Sequence, residues 1–445
     1  MAVNSYQCSI MNIRSMRFRS RGLLSLLVAA DALLPKSVRA ETRLATALTP
    51  EAIWNAISAA RDGDIVQLPE GTAVWKSGWN TGHWAKMKAI TIQGAGIDRT
   101  IIRDETSTAA GDELLEIKGV EGKPFRITGI TFDGTGLTNG GVWAGAIVIS
   151  GSCKNFRVDH CKFLNMDRML TISGDTFGLI DHCYFHALKK NRLAQTIMCM
   201  GPGKAAFTRP LTMGTAQAVY FEDNEARFSP EVVEATGNNP WIVPYEGARV
   251  VIRQNRIINT QLEIYRVRPG ALGCQSAEIY DNAFSAEGAK MGRPQGFIFI
   301  SGGAAMVFNN TVSGTTYNCR TIELSHERSF RPIGEYGLCD GTNPIDGNQI
   351  PAGQKGAGYP CFGQPGRATD ADGDGVFEPS PCYAWSNTFN GKKLNLTLRR
   401  WNPKETELQG EHVKEGRDFF NEVPRPEYYT PYTYPHPLQG RPEAR

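Results

Sequence analysis

Short apolar runs, each closed by a polar pair and one further apolar residue, recur along most of this chain. Val158-Asp-His-Cys-Lys-Phe163 aligns with Ile180-Asp-His-Cys-Tyr-Phe185, 22 residues later. The same pattern returns at Phe221-Glu-Asp-Asn224, Ile252-Arg-Gln-Asn-Arg-Ile257, Ile279-Tyr-Asp-Asn-Ala-Phe284, Val307-Phe-Asn-Asn-Thr-Val312 and Ala384-Trp-Ser-Asn-Thr-Phe389. Cys161, Cys183, Asn224, Asn255, Asn282, Asn310 and Asn387 fall in register, at intervals of 22, 41, 31, 27, 28 and 77 residues. A period in the low twenties is one turn of a β-solenoid, and longer intervals are turns that carry loops. One coil cannot bury its own apolar face, but stacked coils bury a continuous cylinder. An Asn at a repeated bend bonds the backbone of the next rung, and Cys in that register serves as a small buried hydrophobe.

A second set of strands shows period-two alternation, which places Ile147 and Ile149, Leu170 and Ile172, and Ile322 and Leu324 inward. Before the first strand, Thr49-Pro50-Glu51 reads as a helix N-terminus, with an N-cap, a first-position proline and a first-turn acid. That helix is expected to run to about Arg61, with Ile53 and Ile57 on one face, and to cover the open end of the stack. The expected fold is therefore all-β, a single-stranded right-handed parallel β-helix with an N-terminal capping helix, over residues 41–400. Residues 330–380 break the period with dense Gly, Pro, Asn and Asp, and read as a loop insert. Residues 401–445 form a Pro- and Tyr-rich tail expected to pack along the solenoid.

The sequence has 445 residues and a net charge of +3. The first forty residues read as a signal peptide. Arg14, Arg17, Arg19 and Arg21 precede the apolar stretch Leu23 to Leu34, with a cut expected at Ala40/Glu41. This leader holds six basic residues and one acid, so residues 41–445 sit near −2, a balance that does not suggest nucleic acid. No run of 18 apolar residues encodes a membrane span. Export to a secreted or periplasmic location would let Cys319, Cys339, Cys361 and Cys382 form two bridges, in any of three pairings.

The helix followed by Asp62-Gly-Asp-Ile-Val-Gln-Leu-Pro69, and then the Asp-His-Cys-x-Phe and Asn-x-Phe rungs, resembles the pectin-lyase-like right-handed β-helix superfamily over roughly residues 50–390. That resemblance implies the fold. For activity it implies a secreted carbohydrate-active protein, read here as a polysaccharide lyase acting on a uronate-containing polymer. The alternatives are a polysaccharide hydrolase and a non-catalytic carbohydrate-binding or cell-surface protein.

Eliminating a uronate requires a cation on its carboxylate, a base for the C5 proton and an acid for the leaving oxygen. Arg266, Arg268, His182 and Lys190 are the candidate catalytic residues. Asp159, His160, Asp181, Glu323, His326 and Arg328 are candidates for binding substrate, since Asp-His pairs are similar to a pectate-lyase motif and guanidiniums grip carboxylates in bidentate fashion. The same Asp-His pairs also read as turn residues repeated because the coil repeats. Asp370, Asp372, Asp374 and Glu378, with Gly373 and Gly375 between them, have oxygen-ligand spacing suited to Ca²⁺.

Overall fold

The computed structural model describes residues 40–76, 87–106, 113–137, 145–166, 168–189, 196–236, 240–288, 296–314, 321–400, 402–423 and 426–440. Residues 1–39 of the expected leader, Lys190 and Cys319 lie outside them. The described strands form three sheets of 12, 11 and 9 strands, and the central coils give one strand to each sheet in turn. Phe156–Asp159, Lys162–Leu164 and Arg168–Ser173 make one coil; Gly178–Asp181, Tyr184–Ala187 and Ile197–Met200 make the next. They pair in parallel, Val158 on Ile180, Phe163 on Phe185 and Leu170 on Ile197. The chain is a three-sheet parallel β-helix.

The inward stacks follow the alternation seen in the sequence. Ile147, Ile149, Leu170, Ile172, Ile322 and Leu324 are all buried in one core. Phe132, Phe163 and Phe185 stack along it at centroid separations of 5.3 and 5.0 Å. Between the first and second sheets the chain bends in two residues, and the first of these takes a positive φ in coil after coil: His160, His182, Asp223, Gln254, Asp281, Asn309 and Ser386. The second is the ladder residue. Each ladder Asn accepts from the backbone N–H of the preceding rung, Asn224 from Cys183, Asn255 from Asn224, Asn282 from Asn255, Asn310 from Asn282 and Asn387 from Asn310, at 3.0–3.1 Å.

The capping helix is Pro50–Ala59, two residues shorter than the pattern suggested, with Thr49 accepting from Ala52 N–H. It stops because Asp64 takes the Arg61 N–H, and that carboxylate also accepts from Glu41 N–H. At the other end, the helix Pro403–His412 and the strand Phe419–Asn421 extend the stack past residue 400. The tail then straps the outer face of the first sheet. Tyr429 donates to Glu278, and the carbonyls of Tyr432, Thr433 and Leu438 accept from Arg253 and Arg157. Among the described residues no helix is long and apolar enough to cross a membrane.

The insert is stapled by one disulfide, Cys339–Cys361, and by a bidentate pair between Arg328 and Asp346 at 2.8 Å. Cys382, a candidate partner in the sequence, is a buried free thiol.

Candidate functional site

The predicted residues divide between two corners of the helix and the insert. The Asp-His rungs lie where the first sheet bends into the second. Asp159 and Asp181 are fully buried. Arg126 grips Asp159 through two bonds of 2.7 Å, and Arg157 grips Asp181 at 2.9 and 2.8 Å. Burial alone would raise the Asp159 pKa, but Arg126, His160 and Arg157 hold it far below the carboxylate range. Arg253 and Glu222 continue this ion-pair ladder under the strap. His160 and His182 each turn Nδ1 to the preceding Asp, at 2.7 and 2.8 Å, and stack at 5.0 Å with their rings nearly parallel. The Asp181 hydrogen bond raises the His182 pKa against partial burial. The aspartates are thus engaged in holding the sheet face, and the two imidazoles are the most exposed groups of the cluster.

Arg328 and His326 are also buried, at 1% and 3% exposure. Arg328 spends its guanidinium on Asp346 and on the carbonyls of Gly337, Leu338 and Phe362. Burial pushes the His326 pKa well down. Its Nε2 has no hydrogen-bond partner among the described residues, an arrangement that costs about 1–3 kcal/mol.

Arg266 and Arg268 stand at the corner where the third sheet turns back to the first. The strand Gln261–Ile264 ends before them, so they belong to a turn rather than to one strand face. Both guanidiniums lie over the Tyr265 ring, at 5.2 and 5.5 Å. Arg266 also pairs with Glu327 at 3.2 Å, and Arg331 meets the same carboxylate. Arg268 lies 4.6 Å from the Tyr245 ring, one coil earlier.

Tyr245 was not singled out in the sequence. It extends an apolar patch with Met198, Val243 and Ala271 that is separate from the core and so lies on the outer face of the third sheet. Burial raises its phenol pKa, while the charges of Arg268 and Arg168 oppose the rise. Beside it, Glu246 sits at a positive-φ corner with Oε1 accepting from Leu272 N–H. Burial raises this carboxyl too, against the Leu272 bond and Arg268. A phenol, a carboxyl and a guanidinium are therefore within electrostatic reach of one another at the edge of the third sheet. Farther along that face, Glu263, Phe299 and Glu323 stand in register on three successive strands. The structure brings Arg266, Arg268 and Glu323 to this side and leaves His182 at a different corner.

A cleft of about 600 Å³ lies at the start of the first sheet, lined by Lys154, Asp175, Phe177, Arg209 and Arg249. Its cations are occupied: Lys154 and Arg209 pair with Asp175, and Arg249 binds Gln275 and Thr212. In the Gly-rich insert, Asp370, Asp372 and Asp374 can bring one carboxylate oxygen each within 4.8 Å of the others. Glu378 turns inward, accepting from the N–H groups of Ala371 and Asp372.

No protein-family model matches this sequence, and no curated protein matches it. Solved structures do. An alginate lyase from Paenibacillus sp. str. FPU-7 is 14% identical, with a TM-score of 0.45 over 81% of this chain and 98% of that one. The catalytic domain of a GH87 α-1,3-glucanase in complex with nigerose is 10% identical, with a TM-score of 0.30 over 88% and 69%. A PL6-family alginate lyase is 13% identical, with a TM-score of 0.28 over 83% and 56%.

Proposed function

We propose that the outer face of the third sheet binds an acidic polysaccharide and cleaves it by β-elimination. The observation that carries this reading is the Arg268 guanidinium lying against two tyrosine rings, with Glu246 alongside. Arg268, with Arg168 nearby, neutralises a uronate carboxylate and so acidifies its C5 proton. Glu246 takes that proton. Tyr245, a phenol protonated at neutral pH, turns from Met198 Sδ, to which it donates at 3.6 Å, and donates to the leaving O4. The C5–H and C4–O bonds break, a C4=C5 double bond forms, and the chain is cut without water. The Tyr265 ring, only partly buried, offers apolar area for a sugar face.

Hydrolysis is the second reading, and one observation favours it. Glu263 and Glu323 lie two rungs apart on the same face with Phe299 between them, about 9.6 Å by backbone spacing, just beyond the roughly 6.5–9.5 Å between the carboxyl groups of inverting hydrolases. The test is incubation with pectate, alginate and glycosaminoglycans. Ultraviolet absorbance from unsaturated uronate ends supports elimination; reducing ends without that absorbance support hydrolysis. Binding to a polymer with neither product leaves a carbohydrate-binding protein.

A further inference from the structure

The insert and the C-terminal helix meet at four buried side chains: His326, Cys339, Cys361 and His412. One donor atom from each lies within 4.8 Å of the other three. None of the chemistry proposed above uses them. We propose that, once the Cys339–Cys361 disulfide is reduced, these four side chains bind one divalent ion of the zinc class. The insert would then be held by a disulfide under oxidising conditions and by a metal under reducing ones.

The donor set is the first argument. Two thiolates and two imidazoles are the set zinc takes in closed structural sites. Two thiolates also cancel the charge of a divalent ion, so the buried complex is neutral, as an interior site requires. The second argument is the state of the imidazoles. His326 Nε2 is buried with no hydrogen-bond partner among the described residues, in a site lined by sulfur. His412 Nε2–H donates to the Ala357 carbonyl at 2.8 Å, which leaves the Nδ1 lone pair for a ligand and orients the ring as an outer carbonyl does in zinc sites. Nδ1 now accepts from the Ser329 hydroxyl at 2.9 Å, a donor that can rotate away. The third argument is reach. A tetrahedral ion holds its sulfurs about 2.3 Å away and so about 3.8 Å from each other. Cα atoms 5.7 Å apart accommodate that by side-chain rotation.

The balance is simple. A phosphine reduces the disulfide with one water, giving the phosphine oxide and two thiols. The metal then displaces the two thiol protons. The bound ion would join the end of a third-sheet strand, the insert and the helix Pro403–His412, and so would hold Glu327 where it meets Arg266.

The test uses the full chain, reduced with a phosphine under anaerobic conditions and titrated with Co²⁺. One Co²⁺ per chain is expected, with the strong visible bands of a tetrahedral ion and near-ultraviolet thiolate charge transfer. The oxidised chain should show neither. His326→Ala should weaken binding at least tenfold, and Cys361→Ser should diminish the charge-transfer band. If the reduced chain unfolds, Zn²⁺ should restore its circular dichroism. The proposal is overturned if the reduced, folded chain gives only the pale spectrum of oxygen ligands. It also fails if both variants bind as the wild type does, or if Zn²⁺ rescues nothing.

Discussion

Asn282 stands mid-ladder, and replacing it with Ala should cost the protein about 4 kcal/mol. Its Oδ1 accepts from the N–H and the side-chain amide of Asn255, at 3.1 and 2.9 Å. Its Nδ2 donates to Ile252 O, Tyr280 O and Asn310 Oδ1, at 2.8, 3.1 and 2.9 Å. The side chain is buried, so water does not replace these partners. Asn255 Nδ2 keeps its bonds to Phe221 O and Arg253 O, and Asn310 Oδ1 keeps the Asn282 N–H. The Asn255 N–H loses its ladder acceptor, and two carbonyls lose a donor. At about 1–3 kcal/mol for each buried group left unmet, with partial relaxation, the sum is about 4 kcal/mol. Unfolding entropy for a unit spanning residues 40–445 is on the order of 0.8 kcal/mol/K, so the melting temperature should fall by about 5 °C. Calorimetry alongside an exposed-strand control, Thr72→Ala, measures it. A loss below about 1 kcal/mol, no larger than the control, would refute the claim that the ladder holds the bends together.

Other expectations follow from the two faces and the insert. Asp159→Asn should destabilise by about 3 kcal/mol near neutral pH by orphaning Arg126. Because the folded pKa of Asp159 is depressed, its stabilisation is present above the ordinary value of about 3.9 and is lost as pH falls through the folded value. The gap between variant and wild type in acid titrations should therefore close only below about pH 4. Tyr245→Phe should lower kcat by about 10²–10⁴ if the phenol is the general acid, and equal rates would remove it from that role. We also propose that Asp370, Asp372 and Asp374 bind Ca²⁺. A chelator should then lower the melting temperature, and Asp372→Asn with Asp374→Ala should abolish that difference. Unchanged melting and unchanged protease cutting of the insert would reduce the motif to an acidic turn.

The ladder was legible in the sequence because a solenoid repeats its bend, so Asn224, Asn255, Asn282, Asn310 and Asn387 announce themselves by register. The inward alternation at Ile147 and Leu170 was legible for the same reason. The same periodicity also drew attention to Asp159 and Asp181 as chemistry, although they pair with Arg126 and Arg157, each from the preceding coil. Those arginines occupy ordinary outward positions and carry no local signature. Tyr245 went unread because its partner Arg268 meets it only through stacking of one coil on the next. Arg328 finds Asp346 inside the aperiodic insert, where no pattern links them. The Pro- and Tyr-rich tail reads as extended in sequence, but which sheet it covers depends on Glu222, Arg253 and Glu278 all facing outward on the first.

The most direct test of the proposed site is a crystal of this protein soaked with a uronate oligomer. The account predicts sugar rings along the outer face of the third sheet, with a carboxylate paired to Arg268 and Tyr245 near the scissile oxygen. An oligomer seated instead in the Lys154–Arg209–Arg249 cleft or against His160 and His182, with the third-sheet face bare, would contradict it.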